Sequence, residues 1–226
     1  MGSRAPVVAR YGLSTGPGLY VEIGFGEAPA ALRGPIPFSG AYLGFEAANG
    51  HGYPTSPDVE KYASVVLRAL PGLARAQADQ TGKRIALAFA DARGGRGGLP
   101  LPGGCATEVY MANVLTSPLR AGDRERAEIL REAMRVLRPG GGLVLRVSWG
   151  GDAQREWRQN RLKRMVRSAG FWVVCACARG EPAHAELEWR YGRTPQQFVD
   201  HARYEDPHAH YQAYFIVARK PSGGSD

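Results

Sequence analysis

No stretch of the 226-residue sequence is apolar for long enough to span a bilayer, and its first residues lack the apolar core of a secretion signal. A cytoplasmic address is expected. Cysteine is scarce: Cys105, Cys175 and Cys177 are odd in number, and the last two stand two residues apart in an apparent strand. That argues against a disulfide framework and for reduced thiols. No Pro/Ser-rich linker or break in composition divides the chain, and no repeat of fixed period is visible, so residues 1–226 are expected to form a single domain. Acidic residues are the minority charge, 21 against 29 basic, for a net +8. The excess is mostly arginine. It is compatible with a polyanionic partner and equally with an Ala/Gly/Arg-biased composition.

A hydrophobic fraction of 44% and a charged fraction of 22% suit an ordinary globular core. Short apolar runs at Leu19–Ile23, Ala41–Phe45, Ile85–Ala90, Thr107–Leu115, Leu143–Ser148, Phe171–Cys177 and Tyr211–Ala218 read as seven strands. Helical spacing runs from Pro57 to Ala78, with a break at Pro71. Asp123 is placed to cap a helix with an apolar stripe of Ala127, Leu130, Ala133, Met134 and Leu137, ended by Arg138-Pro139-Gly140. A basic helix is expected over Asp152–Ala169, resting on Leu162, Met165, Val166 and Ala169. Alternation of strands and helices predicts an α/β fold with helices on both faces of a mainly parallel sheet.

In such a sheet, ligands arrive at the carboxyl ends of the strands. The first strand runs "LYVEI" into Gly24-Phe25-Gly26, with Glu22 before the glycines and Glu27 after them. Bare glycine backbone permits close approach of a ligand, while two carboxylates repel phosphates. The loop also lacks a phosphate-loop lysine, and Ala28-Pro29 stand where a dinucleotide fingerprint would continue to its third glycine. A ligand with a positive centre and no phosphate fits better.

"VEIGFGE" resembles the first motif of class I S-adenosylmethionine-dependent methyltransferases. "YLGFEAAN", "FADARGGRGGLPLPGGCATEVYMANVL" and "ILREAMRVLRPGGGLVLRVSW" resemble that family's later segments in the same order, so the likeness covers about residues 18 to 150. It implies a Rossmann-like, doubly wound, mainly parallel seven-stranded sheet with an antiparallel last strand, and S-adenosylmethionine as cofactor. By that resemblance Glu22 and the Gly24-Phe25-Gly26 loop would hold the methionine end, and Glu46 the ribose hydroxyls. Asp91 would take the adenine amine, Ala92 would offer its amide to the ring, and Asn113 would lie near the transferring methyl. Two departures stand out: Pro29, Pro35 and Pro37 disrupt the helix after the first motif, and Thr107 replaces a frequent aspartate.

Each residue also has a plainer reading. Glu46 could be a solvated strand end, Asp91 a turn former, Asn113 a loop cap, and Arg155, Arg158, Arg161, Lys163, Arg164 and Arg167 a solvated helix face. The segment from Arg179 to His210 reads as an insertion shaping the substrate site through Trp189, Tyr191 and Arg193, or as a helical excursion beginning near Thr194-Pro195. His51, His208 and His210 match no strong metal-binding spacing, and no metal is expected. The expected reaction is in-line methyl transfer to a small-molecule or natural-product acceptor. The alternatives are methylation of rRNA or tRNA, for which the aromatic and arginine residues of the insertion would serve, and a non-catalytic cofactor-binding module. No Asn/Asp-Pro-Pro-aromatic signature of base-amine methylation is present; that place holds "NVLTSP".

Overall fold

The computed structural model describes residues 13, 17–24, 40–46, 72, 75, 78–79, 84–90, 92–93, 98–112, 114–115, 122–149, 155–178, 181–191 and 212–223. Among the described residues there are seven strands: β1 (Leu19–Ile23), β2 (Ala41–Glu46), β3 (Arg84–Phe89), β4 (Ala106–Ala112), β5 (Leu137–Trp149), β6 (Trp172–Ala178) and β7 (Gln212–Arg219). Their order across the sheet is β3-β2-β1-β4-β5-β7-β6. Neighbours β1 to β5 pair in parallel, and β7 runs antiparallel to both β5 and β6. This matches the sheet expected from the sequence, antiparallel last strand included. The reversal of strand order falls between β1 and β4, and it brings the carboxyl ends of β1, β2 and β4 together.

Three helices are described in full: α1 (Asp123–Val136), α2 (Arg155–Ser168) and α3 (Pro182–Tyr191). Ile129, Leu130, Ala133, Leu162 and Val166 from α1 and α2 bury against Val21, Val109, Met111, Leu143 and Ile216 of the sheet. On the opposite face, Ala183 and Leu187 of α3 pack with Tyr110, Val144, Phe215 and Val217. The strands alternate accordingly, sending successive side chains into two different cores. Among the described residues no helix is long and apolar enough to cross a membrane.

Several local expectations need correction. Asp123 is not the cap of α1: Gly122 takes that position and no side chain caps it. The Asp123 carboxylate turns instead to Arg161 on α2 (2.6 Å and 2.7 Å) and to Arg126 (3.1 Å), tying the two helices together. The buried stripe of α1 is Ile129, Leu130, Glu132, Ala133 and Val136, because a carboxylate with internal partners occupies a core position. β5 begins at Leu137, directly after the helix, and the Arg138-Pro139-Gly140 turn is held in it by Gly140 N–H donating to Lys220 O (3.1 Å). Lys220 also donates Nζ to Met134 O (2.8 Å) and Leu137 O (2.7 Å), satisfying carbonyls at the end of α1. α3 lies within the expected insertion, at a place where no helix is read from the sequence. The excursion near Thr194-Pro195 lies outside the described residues, as does most of the helix expected from Pro57 to Ala78.

Candidate active site at the carboxyl edge of the sheet

At the end of β1 the backbone turns sharply. Gly24 has φ +72°, and its N–H donates to Phe45 O at the end of β2 (2.7 Å). A Cβ at this position would lie 2.5 Å from Val114 Cγ2. Only glycine meets both conditions, the left-handed φ and the close approach. Phe45 and Val114, which adjoin this turn, and Ala92 and Leu115, which follow β3 and β4, are all buried and belong to one apolar cluster. A glycine turn without a side chain thus stands at the edge where the strand order reverses.

Of the residues singled out from the sequence, Glu22, Gly24 and Ala92 are brought to this edge with their side chains described. Glu46 is the last residue of β2, paired in register with Phe89, and its side chain is outside the described set. Phe25, Gly26, Asp91, Asn113 and Arg193 also lie outside the described residues, as does the side chain of Trp189. His51, His208 and His210 fall there too, and among the described residues no three His, Cys, Asp or Glu are grouped to hold a metal.

A clamp beneath the β3–β4 connection carries no local sequence signal. Glu132 of α1 accepts from Leu99 N–H (2.7 Å) and from Arg135 Nη2 (2.6 Å) and Nε (2.8 Å). Arg135 in turn donates to Leu99 O (3.0 Å) and Leu101 O (2.7 Å). Gly98, with φ +69°, leaves room for the carboxylate, since a Cβ there would meet Glu132 Oε1 at 2.7 Å. Hydrogen bonds from Arg135 hold the Glu132 carboxyl below the usual carboxylate range, assisted by Leu99 N–H and opposed by burial. A carboxyl depressed in the folded state stabilises the fold above its unfolded pKa, and that contribution is lost as pH falls through the folded value. Glu132→Gln is therefore expected to lower the unfolding free energy near pH 7 by about 1–3 kcal/mol. In denaturant titrations the gap to wild type should narrow on acidification below about pH 4. A gap independent of pH would contradict the ionic role.

The α3 face of the sheet is unusually polar for a core. Glu108 on β4 is 2% exposed and forms an ion pair with Arg190 Nη2 (2.9 Å), also 2% exposed. The Tyr191 hydroxyl donates to Glu108 Oε1, and the Tyr191 ring stacks on Tyr110 (centroids 4.5 Å apart, planes 12° from parallel). The Arg190 guanidinium lies 5.9 Å from the Tyr20 ring and 5.4 Å from that of Tyr191. Burial raises the Glu108 carboxyl, with the Arg190 charge and the Tyr191 hydroxyl pulling it back. Burial alone would lower the Arg190 guanidinium, but Tyr191 and Glu108 outweigh it and hold it above its ordinary value. Tyr191, expected at the substrate, has its ring and hydroxyl engaged inside the core. Farther along, Arg146 of β5 donates Nε to Glu188 of α3 (3.1 Å).

No family model matches the chain, and no curated protein matches it by sequence. Solved structures do. The chain is similar to the [4+2]-cyclase SpnF, with TM-score 0.58, 21% identity, and 96% of this chain and 79% of that one covered. It is similar to an S-adenosylmethionine-dependent methyltransferase of Methanosarcina mazei, with TM-score 0.56, 15% identity, and 96% and 98% covered. Haemonchus contortus phosphoethanolamine N-methyltransferase 2, solved with S-adenosyl-L-methionine, aligns at TM-score 0.52 and 14% identity, with 95% and 51% covered. The chain has the class I methyltransferase fold. In that methyltransferase fold the Gly24 turn stands at the switch in strand order, where an open α/β sheet takes its ligand.

Proposed function

We propose that the protein transfers a methyl group from S-adenosylmethionine to a small-molecule acceptor by in-line displacement. The observation that carries this reading is the Gly24 turn: bare backbone at the strand-order reversal of a methyltransferase fold, two residues after a carboxylate. An acidic notch without a phosphate-loop lysine suits a sulfonium nucleoside and disfavours a nucleotide or dinucleotide. The residue types support the reading: a carboxylate at Glu22, on β1, suits the cofactor's amino-acid end, and an acidic residue at the last position of β2, Glu46, suits its ribose. Asp91 and Ala92 follow β3 in the sequence and are proposed, from the family resemblance, to serve the adenine.

When bound, S-adenosylmethionine supplies a methyl group already activated by its sulfonium charge. The chain's contribution is positioning: holding the acceptor atom in line with methyl and sulfur and keeping water out, an effect worth up to about 7–11 kcal/mol. Buried Ala92, Val114 and Leu115 provide the dry side of such a pocket. Trp189 and Arg193 are proposed to complete it on the acceptor side, within a single domain spanning 1–226.

RNA as the acceptor is the second reading, favoured by α2. Arg164 and Arg167 are exposed there, whereas Arg161 is engaged by Asp123. The deciding experiment is tritiated-methyl transfer from labelled S-adenosylmethionine into a metabolite extract and into total RNA, side by side. Label in the metabolite fraction is expected; label confined to RNA would transfer the assignment to the second reading, and label in neither would leave the binding module. Glu46→Ala and Asp91→Ala are each expected to weaken S-adenosylmethionine binding by about tenfold or more, the loss of one or two hydrogen bonds to a charged acceptor. Wild-type affinity in both variants would overturn the cofactor assignment.

A further inference from the structure

On the face of the sheet turned toward α3, Glu22 stands between two neighbours in register, Gly44 on β2 and Tyr110 on β4. Gly44 brings no side chain, so the space beside the carboxylate on the β2 side is left to a residue from elsewhere. Tyr42, two positions earlier on the same face of β2, fills it and donates its hydroxyl to Glu22 Oε2. On the other flank Tyr110 is fixed by its stack on Tyr191. Glu22 is 0% exposed and Tyr42 is 3% exposed. A carboxylate without water depends on hydrogen-bond donors to stay ionised, and its two oxygens offer about four acceptor positions. Tyr42 takes one of them. The hydroxyl also fixes the orientation of a glutamate side chain, which has three rotatable bonds and would otherwise lose several rotamers on binding a ligand.

We propose that Tyr42 is a positioning residue for the amino-acid end of the cofactor: its hydroxyl aims the Glu22 carboxylate at the α-ammonium group and so sets a preference for nucleosides that carry that group. The proposal rests on the methyltransferase reading above. Its geometry comes from the register of three strands. Glu22 lies two residues before the Gly24 turn, on the strand that ends at the reversal of strand order, and its carboxylate is anchored from β2. Ionised carboxylate and ammonium together make the stronger, charge-assisted class of hydrogen bond, which is sensitive to the direction of the acceptor.

Tyr42→Phe removes one oxygen and keeps the ring that packs with Tyr20, Ile85 and Leu87. Calorimetric titration of wild type, Tyr42→Phe and Glu22→Gln with two probes separates positioning from general support. S-adenosylhomocysteine carries the α-amino group; 5′-methylthioadenosine has the same thioether nucleoside without it. For Tyr42→Phe, affinity for S-adenosylhomocysteine is expected to fall by about tenfold, and affinity for 5′-methylthioadenosine to stay within about twofold. Glu22→Gln should show the same selective loss, and the double variant should lose little more than either single change, because both act on one contact. An equal loss for both probes, or no loss for either, would overturn the role of Tyr42 while leaving the methyltransferase reading intact. Failure of wild type to bind either probe would overturn both.

Discussion

Replacement of Arg190 by methionine is expected to lower the unfolding free energy by about 3–5 kcal/mol, the cost of leaving one partner of a buried ion pair without the other. The large effect follows from burial: Glu108 and Arg190 are each 2% exposed, so neither can exchange its partner for water. Methionine keeps the apolar volume of the stem and removes the charge, which isolates the electrostatic loss. The deficit should depend on pH in a definite direction. Without Arg190 the folded-state pKa of Glu108, already raised by burial, rises further above the unfolded value. A raised carboxyl penalises the fold at pH values above its folded pKa, and the penalty fades as pH falls toward the unfolded value. Denaturant titrations of Arg190→Met should therefore show the gap to wild type shrinking on acidification. The double variant Glu108→Leu/Arg190→Met should recover most of the loss, since no unpaired charge remains. A single variant as stable as wild type would show that the pair is not buried as described.

Gly24→Ala is expected to damage both fold and function. Left-handed φ costs a residue with a side chain about 1–2 kcal/mol, and forcing a methyl into the space of Val114, 2.5 Å from its Cγ2, adds about 1–3 kcal/mol. If the turn opens to relieve the clash, the N–H to Phe45 O bond between β1 and β2 is lost and the notch changes shape. Affinity for S-adenosylhomocysteine should fall by at least about tenfold, equivalent to about 1.4 kcal/mol. Gly24→Ala/Val114→Ala makes room for the methyl but leaves the backbone strain, so it should recover only part of the stability. Full recovery would show that the strain in φ is negligible.

The strands were legible because each is a short apolar run closed by glycine or a polar residue, and six of the seven begin within one residue of the expected start. β5 is the exception: its first residues, Leu137 to Gly142, contain the turn glycines that read as a helix stop. The order of the strands was not legible from periodicity; the family resemblance implied only a mainly parallel seven-stranded sheet with an antiparallel last strand. α3 escaped notice because its buried positions include His184 and Arg190 beside Ala183, Leu187 and Tyr191, so hydropathy gives it little amphipathic contrast. Its place in the core makes sense only with Glu108, 82 residues earlier, as partner. Glu132 misled in the same way, shifting the apparent stripe of α1. Asp123 has the composition of a cap, but the pull of Arg161 from α2 outweighs local preference. Buried polar residues with distant partners are the common element in these differences, since neither spacing nor propensity encodes a partner on another strand or helix.

At the candidate site, the Gly24 turn at the end of a strand carrying Glu22 was legible from one heptapeptide, because glycines directly after a short apolar run mark a sharp turn, while the roles of both residues toward a ligand belong to the proposed function. The partners that hold them, Val114 and Tyr42, were not, being 90 and 20 positions away in sequence.

Calorimetric titration of the wild-type chain with S-adenosylhomocysteine and, separately, with NADH and ATP tests most directly whether the site proposed at the end of β1 selects a phosphate-free nucleoside. Saturable micromolar binding of S-adenosylhomocysteine, with no heat from either phosphorylated ligand, is the expected result. Tight binding of NADH or ATP, or no binding of S-adenosylhomocysteine, would contradict it.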